Sequence, residues 1–190
     1  MSAPLIGGVL VGGQSRRMGR PKQLVEIGNQ TMIEHIVEAL SREVDEIVLL
    51  GDGPVPASLE GLARVADADG CRGPMAGILG ALRARPDACW VVTPCDLPLL
   101  QGEAVRWLLR NRRPEAWAVI PSLDGFVEPL LALYEPEART LLEEAAVAGE
   151  HALHHLVSKA GVVTVEPPEA LRRCWYNANT PHQIASLRAG

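Results

Sequence analysis

No apolar run in these 190 residues reaches the length of a membrane span, and no charged-then-apolar leader pattern opens them. Both absences point to a cytoplasmic protein without a membrane partner. Low-complexity tracts, repeats and linkers are missing too. The chain therefore reads as one domain, residues 1–190, long enough to bury a substantial core. Its four cysteines (Cys71, Cys89, Cys95, Cys174) show no Cys-x-x-Cys spacing, which argues against a zinc ribbon or a redox dithiol. Cys89 lies in an apolar run and reads as core. A broad basic face is also lacking: net charge is −5, and the arginines are dispersed apart from Arg16-Arg17 and a second group at Arg110, Arg112 and Arg113. That balance excludes a nucleic-acid coat. The second group is expected to neutralise the carboxyl end of the helix that it closes.

Several catalytic signatures are absent as well. Five residues separate Gly13 from Gly19 and Arg20 follows, so the Walker A spacing fails. No glycine stands two positions after Gly13, so the dinucleotide fingerprint fails too. Ser15 lacks the Gly-x-Ser-x-Gly elbow of a serine hydrolase. His151, His154 and His155 fall at i, i+3 and i+4 of a helix expected over His151–Lys159, a spacing zinc could use. No cysteine completes that set, and a polar helix face is the better reading.

What is present begins at Gly7. An apolar run, Leu5 to Val11, joins directly to Gly12-Gly13, then to Arg16, Arg17, Gly19 and Lys22. Glycines without Cβ let peptide N–H groups converge on phosphate oxygens, and three cations supply charge to the same place. The segment reads as a strand ending in a nucleotide-triphosphate loop.

Strand and helix patterns alternate after it. Thr31 can cap a helix carrying Met32, Ile33, Ile36, Val37 and Leu40, and Glu46 to Leu50 is a second buried strand. A short helix is expected near Ala57 to Ala63 and a brief strand at Arg64 to Ala66. Pro74 starts another helix, and Cys89 to Thr93 is a further buried strand. Glu103 to Arg110 reads as helical, Ala116 to Pro121 and Pro129 to Tyr134 as extended, with a turn at Gly125 and antiparallel pairing there. Glu137 to Ala148 is expected as helix, Val162 to Val165 as strand, and Pro181 to Arg188 as a closing helix. The alternation predicts an α/β fold: a three-layer, Rossmann-like, mainly parallel sheet with helices on both faces.

Ligands of such sheets bind beyond the carboxyl ends of the strands. Gly12-Gly13, Asp67 and Asp96 all fall there. Asp96 follows the most apolar strand and is placed to hold Mg²⁺, which takes oxygen ligands and keeps phosphates as partners. A capping aspartate before Pro98 is the other reading of that residue. Asp67 suits a ribose hydroxyl or a base edge, or else a solvated turn.

Val9-Leu10-Val11-Gly12-Gly13-Gln14-Ser15-Arg16-Arg17-Met18-Gly19, with Lys22, closely resembles the signature of nucleotidyltransferases that activate pterin cofactors and sugar phosphates. Among these, the chain is most similar to the molybdenum cofactor guanylyltransferases, whose fold is of the nucleotide-diphospho-sugar transferase type. Four more segments carry the likeness over nearly the whole chain: Gly73-Pro74-Met75-Ala76-Gly77, Thr93-Pro94-Cys95-Asp96-Leu97-Pro98, Glu128 to Tyr134, and Asn177-Ala178-Asn179-Thr180-Pro181. The resemblance implies that Leu10, Val11, Gly12 and Gly13 contact a guanine nucleotide, that Lys22 and Arg17 handle its phosphates, and that Asp67 binds the nucleotide. Asp96 would hold Mg²⁺, and Asn177 and Asn179 would lie on the pterin side. GTP and molybdopterin are the implied substrates, and molybdoenzyme maturation proteins the implied partners. Cytidylyltransferase relatives usually carry Ala-Ala-Gly and His-Gly-Asp where this chain has Val11-Gly12-Gly13 and Pro94-Cys95-Asp96. Three positions depart from the usual pattern: Val11 stands for alanine, Pro21 for the aspartate before the lysine, and Asp52 for asparagine. A cytidylyltransferase using CTP, a sugar-phosphate nucleotidylyltransferase and a non-catalytic cofactor-delivery adaptor are the alternative readings.

Overall fold

The first strand, β1 (Leu5–Leu10), is buried from Ile6 to Val9 because both faces of it meet apolar layers. The computed structural model describes residues 3–12, 21–178 and 183. A single 3-10 turn at Lys22–Leu24 precedes a small antiparallel pair, β2 (Glu26–Ile27) with β3 (Gln30–Thr31). Thr31 then caps α1 (Met32–Ser41). Its hydroxyl accepts the Glu34 amide at 3.4 Å, and the Glu34 carboxylate accepts the Thr31 amide at 2.7 Å. This reciprocal box satisfies two donors that a helix start otherwise leaves open.

Next come β4 (Glu46–Leu50) and β5 (Ala63–Val65), then α2 (Pro74–Ala84), β6 (Cys89–Pro94) and α3 (Gly102–Arg110). Between β4 and β5 the expected helix shrinks to a 3-10 turn at Ala57–Leu59, and Ala63 already belongs to the strand. The later part holds β7 (Ala118–Leu123), β8 (Phe126–Val127), β9 (Ala132–Tyr134), α4 (Ala138–Val147), β10 (Val162–Val165) and α5 (Glu169–Arg172).

The main sheet runs β10-β7-β9-β6-β1-β4-β5, with β8 folded back on β7 around Asp124 and Gly125. β1 pairs parallel with β4 and β6, β5 extends the parallel run, and β10 lies parallel to β7. Only β9 runs against its two neighbours, which is the antiparallel pairing expected of that segment. Alternation along β6 separates two apolar layers. Trp90 and Val92 face Ile78, Leu79 and Leu82 of α2 with Leu142 of α4. Cys89 and Val91 face Ile33, Ile36 and Leu40 of α1 with Val105 and Leu108 of α3. These are the three layers expected. At Gly8 a Cβ would stand 2.8 Å from Leu50 Cδ1 and 3.2 Å from Trp90, so glycine leaves room for two large neighbours to close over the central strand.

Two expectations are corrected. Residues 151–159 do not form an α-helix: a 3-10 helix covers Leu153–Ser158, and His151 precedes it. Its buried residues, Leu153 and Leu156, stand three apart, the repeat of a 3-10 turn. His154 and His155 stack edge-on with ring centroids 4.2 Å apart, and the described residues hold no cluster of three metal-ligating side chains. Arg112 likewise does not serve the end of α3. It makes a bidentate pair with Glu135, Nε to Oε1 at 2.7 Å and Nη2 to Oε2 at 2.8 Å, while Asn111 is the C-cap. The closing helix expected at Pro181 to Arg188 lies outside the described residues. Among those described, no helix is long and apolar enough to cross a membrane.

Candidate active site

A cavity of about 450 Å³ opens at the carboxyl ends of β1, β4 and β6. Leu10, Val11, Gly12, Lys22, Asp67, Asp96 and Asn177, seven of the residues singled out in the sequence, line it together. Gly13, Arg17 and Asn179 lie outside the described residues. Depressions of similar size occur between α1 and α3 and beside Arg112, where Arg106 pairs with Glu43 and Arg112 with Glu135.

The wall formed by the ends of β1 and β4 is built by close backbone approach. Val11 N–H donates to Leu50 O at 2.8 Å, and Gly53 N–H donates to Val11 O at 3.3 Å. Gly51 sits at φ +99°, and a Cβ there would lie 2.5 Å from Val11 O. Only glycine allows the loop after β4 to press this closely on the end of β1. Arg64 holds the same loop from outside, donating to Gly51 O at 3.2 Å and Gly53 O at 3.0 Å. Gly12 is exposed, with nothing within 4 Å of the space its Cβ would fill. That open edge suits a phosphate-bearing ligand.

Asp67 follows β5 and is set against α2. Ala68 N–H donates to Ala76 O at 2.9 Å, and a Cβ at Gly80 would fall 2.3 Å from Ala66 O. Burial raises the Asp67 carboxyl above the ordinary range, and the negative charge of Asp52 raises it further.

Asp96 is held beside Lys22, whose Nζ donates to Oδ2 at 2.9 Å. Asp96 Oδ1 is buried and has no hydrogen-bond partner among the described residues. A buried carboxylate oxygen without a donor, on a residue that lines the cavity, is what a cation would complete. The donor set fits Mg²⁺: an oxygen ligand at a site without a full protein cage, which leaves room for phosphate and water. The adjacent Cys95 thiol is pushed up to about 12 by burial and then by Asp96, so it remains a neutral thiol near neutral pH.

The opposite wall comes from the later segments. Ala178 N–H donates to Asp96 O at 3.0 Å, which brings Asn177 into the cavity. Trp175 Nε1 donates to Leu131 O at 3.1 Å, and Tyr134 Oη donates to Pro129 O at 2.7 Å. These bonds pin the turn that presents Leu130, next to Leu131 at φ +60°, an uncommon conformation for a branched side chain. The sequence reading did not single out Leu50, Leu130 or Gln23. Gln23 is 2% exposed and joins two of these loops. An amide in a polar segment carries no motif, and both its partners are distant in sequence.

Residues 7–165 match the family model of the MobA-like NTP transferase domain. A molybdenum cofactor guanylyltransferase of Shewanella halifaxensis is 32% identical, with 98% of this chain and 95% of that one covered. A Thermococcus gammatolerans protein named a probable molybdenum cofactor guanylyltransferase is also 32% identical, over 98% and 100%. The solved structure of molybdopterin-guanine dinucleotide biosynthesis protein A from Archaeoglobus fulgidus superposes with a TM-score of 0.79 at 27% identity, over 97% of each chain. The chain belongs to the MobA-like NTP transferase domain family and is a nucleotidyltransferase.

Proposed function

We propose that the enzyme transfers GMP from GTP to the terminal phosphate of molybdopterin, forming molybdopterin guanine dinucleotide and pyrophosphate. The observation that carries this reading is the Lys22–Asp96 pair, facing one cavity with Gly12 and Asp67 at adjacent strand ends. The names of the relatives supply the substrates.

An acceptor phosphate oxygen attacks the α-phosphorus of GTP, and the bond from that phosphorus to the bridging oxygen breaks as pyrophosphate leaves. The acceptor oxygen is already ionised near neutral pH, so alignment and charge stabilisation matter more than a general base. Lys22 supplies positive charge where the pyrophosphate oxygens gain negative charge. Asp67 accepts hydrogen bonds from the nucleoside, and the Gly12 edge lets the phosphates approach the backbone. Asn177 orients the acceptor on the far wall. Asp96 would hold Mg²⁺, which neutralises triphosphate charge and polarises the reacting phosphorus. Delivery of the product to molybdoenzyme maturation proteins belongs to the same reading.

Pyrophosphate release by the purified enzyme tests it, with molybdopterin and Mg²⁺ present and GTP, CTP or ATP as donor. Turnover with GTP at least tenfold above CTP is expected. Equal use of CTP, or turnover only with a sugar phosphate as acceptor, contradicts the assignment.

A further inference from the structure

We propose that Gln23 is a positioning residue that sets the register between Lys22 and Asp96, a role that rests on these two forming the transfer centre. Gln23 is 2% exposed, within the single turn Lys22–Leu24, and its amide makes two long-range contacts. Nε2 donates to Pro54 O at 3.1 Å, 31 residues away. Oε1 accepts from Cys95 Sγ at 3.9 Å, 72 residues away. A Cβ at Gly53 would stand 2.9 Å from Nε2 and 2.8 Å from Gly12 N, so the loop after β4 is packed against both Gln23 and the end of β1.

Each contact falls one residue or one loop from the reacting groups. Gln23 is the chain neighbour of Lys22, and Cys95 is the chain neighbour of Asp96. One buried amide therefore ties the lysine's turn to the loop after β6 that carries the carboxylate, and braces both on the loop beside Gly12. Its hydrogen bonds reach neither Leu10, carried by β1, nor Asp67, set against α2. Gln23 thus controls the placement of charge at the transfer centre more than the grip on the nucleoside. Misplacing reacting groups by about 1 Å lowers rates by about a hundredfold.

The test is Gln23→Met, which keeps the length and volume and removes both hydrogen-bonding groups. Folding is checked by circular dichroism. Turnover is expected to fall about tenfold to a hundredfold, with GTP KM changed less than about threefold. The Mg²⁺ concentration for half-maximal rate should rise by about the same factor as turnover falls. Calorimetric Mn²⁺ affinity in the presence of a non-hydrolysable GTP analogue should weaken in parallel. Combined with Asp96→Asn, Gln23→Met should add no further loss, because both act through one carboxylate. Should Gln23→Met fail to fold, Gln23→Glu replaces it: the acceptor for Cys95 stays, the donor to Pro54 is gone, and the same losses are expected. A folded variant with wild-type turnover and Mg²⁺ dependence overturns the proposal, and so does a loss that adds in full to that of Asp96→Asn. If the wild-type enzyme makes no guanine dinucleotide, the substrate reading falls alone. The Mn²⁺ affinities of wild type and variant then decide Gln23, and equal values overturn its role.

Discussion

Lys22 Nζ lies 2.9 Å from Asp96 Oδ2, joining a turn after the first strand to the end of the sixth across 74 residues. Both side chains are mostly buried, at 22% and 14% exposure, so their attraction is less screened than a surface pair's. Asp96 lines the cavity and is held there by one oxygen, while its other, Oδ1, is buried and has no hydrogen-bond partner among the described residues. The lysine fixes the carboxylate in this geometry, and on the proposed reading it also brings a cation to the phosphates.

Lys22→Ala is therefore expected to lower kcat/KM by about a hundredfold to a thousandfold, the size of losing one charge-stabilising donor. Lys22→Arg should recover little, because a planar guanidinium cannot replace a compact ammonium at this spacing. Steady-state kinetics on the purified variants check both, with thermal unfolding used to confirm the fold.

On the proposed reading, Asp67 trades stability for binding. Burial and Asp52 hold its carboxyl above the ordinary range, so folding favours its protonated form. Stability from that group is present below the unfolded carboxylate range and is lost as pH rises through the raised value. At neutral pH an ionised Asp67 therefore costs stability. Asp67→Asn should raise the thermal midpoint near pH 7, with the gain vanishing below about pH 4. The same variant should raise GTP KM about tenfold or more by weakening a charged hydrogen bond. Calorimetry across pH, paired with kinetics, reads both effects; a lower midpoint at pH 7 counts against this account of Asp67.

Gly80→Ala tests the backbone contact behind Asp67. Alanine would improve helix propensity by about 1 kcal/mol, but its Cβ would fall 2.3 Å from Ala66 O. A clash with backbone cannot be relieved by rotating a side chain, and overpacking of this kind costs about 1–3 kcal/mol. The clash is expected to win, giving a net loss of stability by denaturant titration. Because Ala66 directly precedes Asp67, GTP KM should rise as well.

Much of this arrangement was legible in the chain. β1, β4 and β6 are mostly apolar on both faces and end at or within two residues of a glycine or proline, so their ends, and the residues placed there, could be read directly. Val162–Val165 was legible for the same reason of composition. The β2–β3 pair was not, because two-residue strands in a polar stretch have no period to detect. The 3-10 helix at Leu153–Ser158 looked like α-helix because three-residue and four-residue spacings coincide over so short a segment. Arg112 was misassigned to its own helix end because its true partner, Glu135, arrives through an antiparallel strand that sequence cannot register. Gln23 stayed hidden for a similar reason: burial and distant carbonyl and thiol partners define its role, and neither leaves a local signature.

The most direct test of the transfer centre is turnover of Asp96→Ala, with GTP, molybdopterin and saturating Mg²⁺. The substitution removes a mostly buried carboxylate whose one oxygen meets Lys22 and whose other has no hydrogen-bond partner among the described residues, so the surrounding strands keep their packing. A folded protein with turnover reduced about a thousandfold or more is the expected result. A folded Asp96→Ala enzyme retaining wild-type, Mg²⁺-dependent transfer would contradict it.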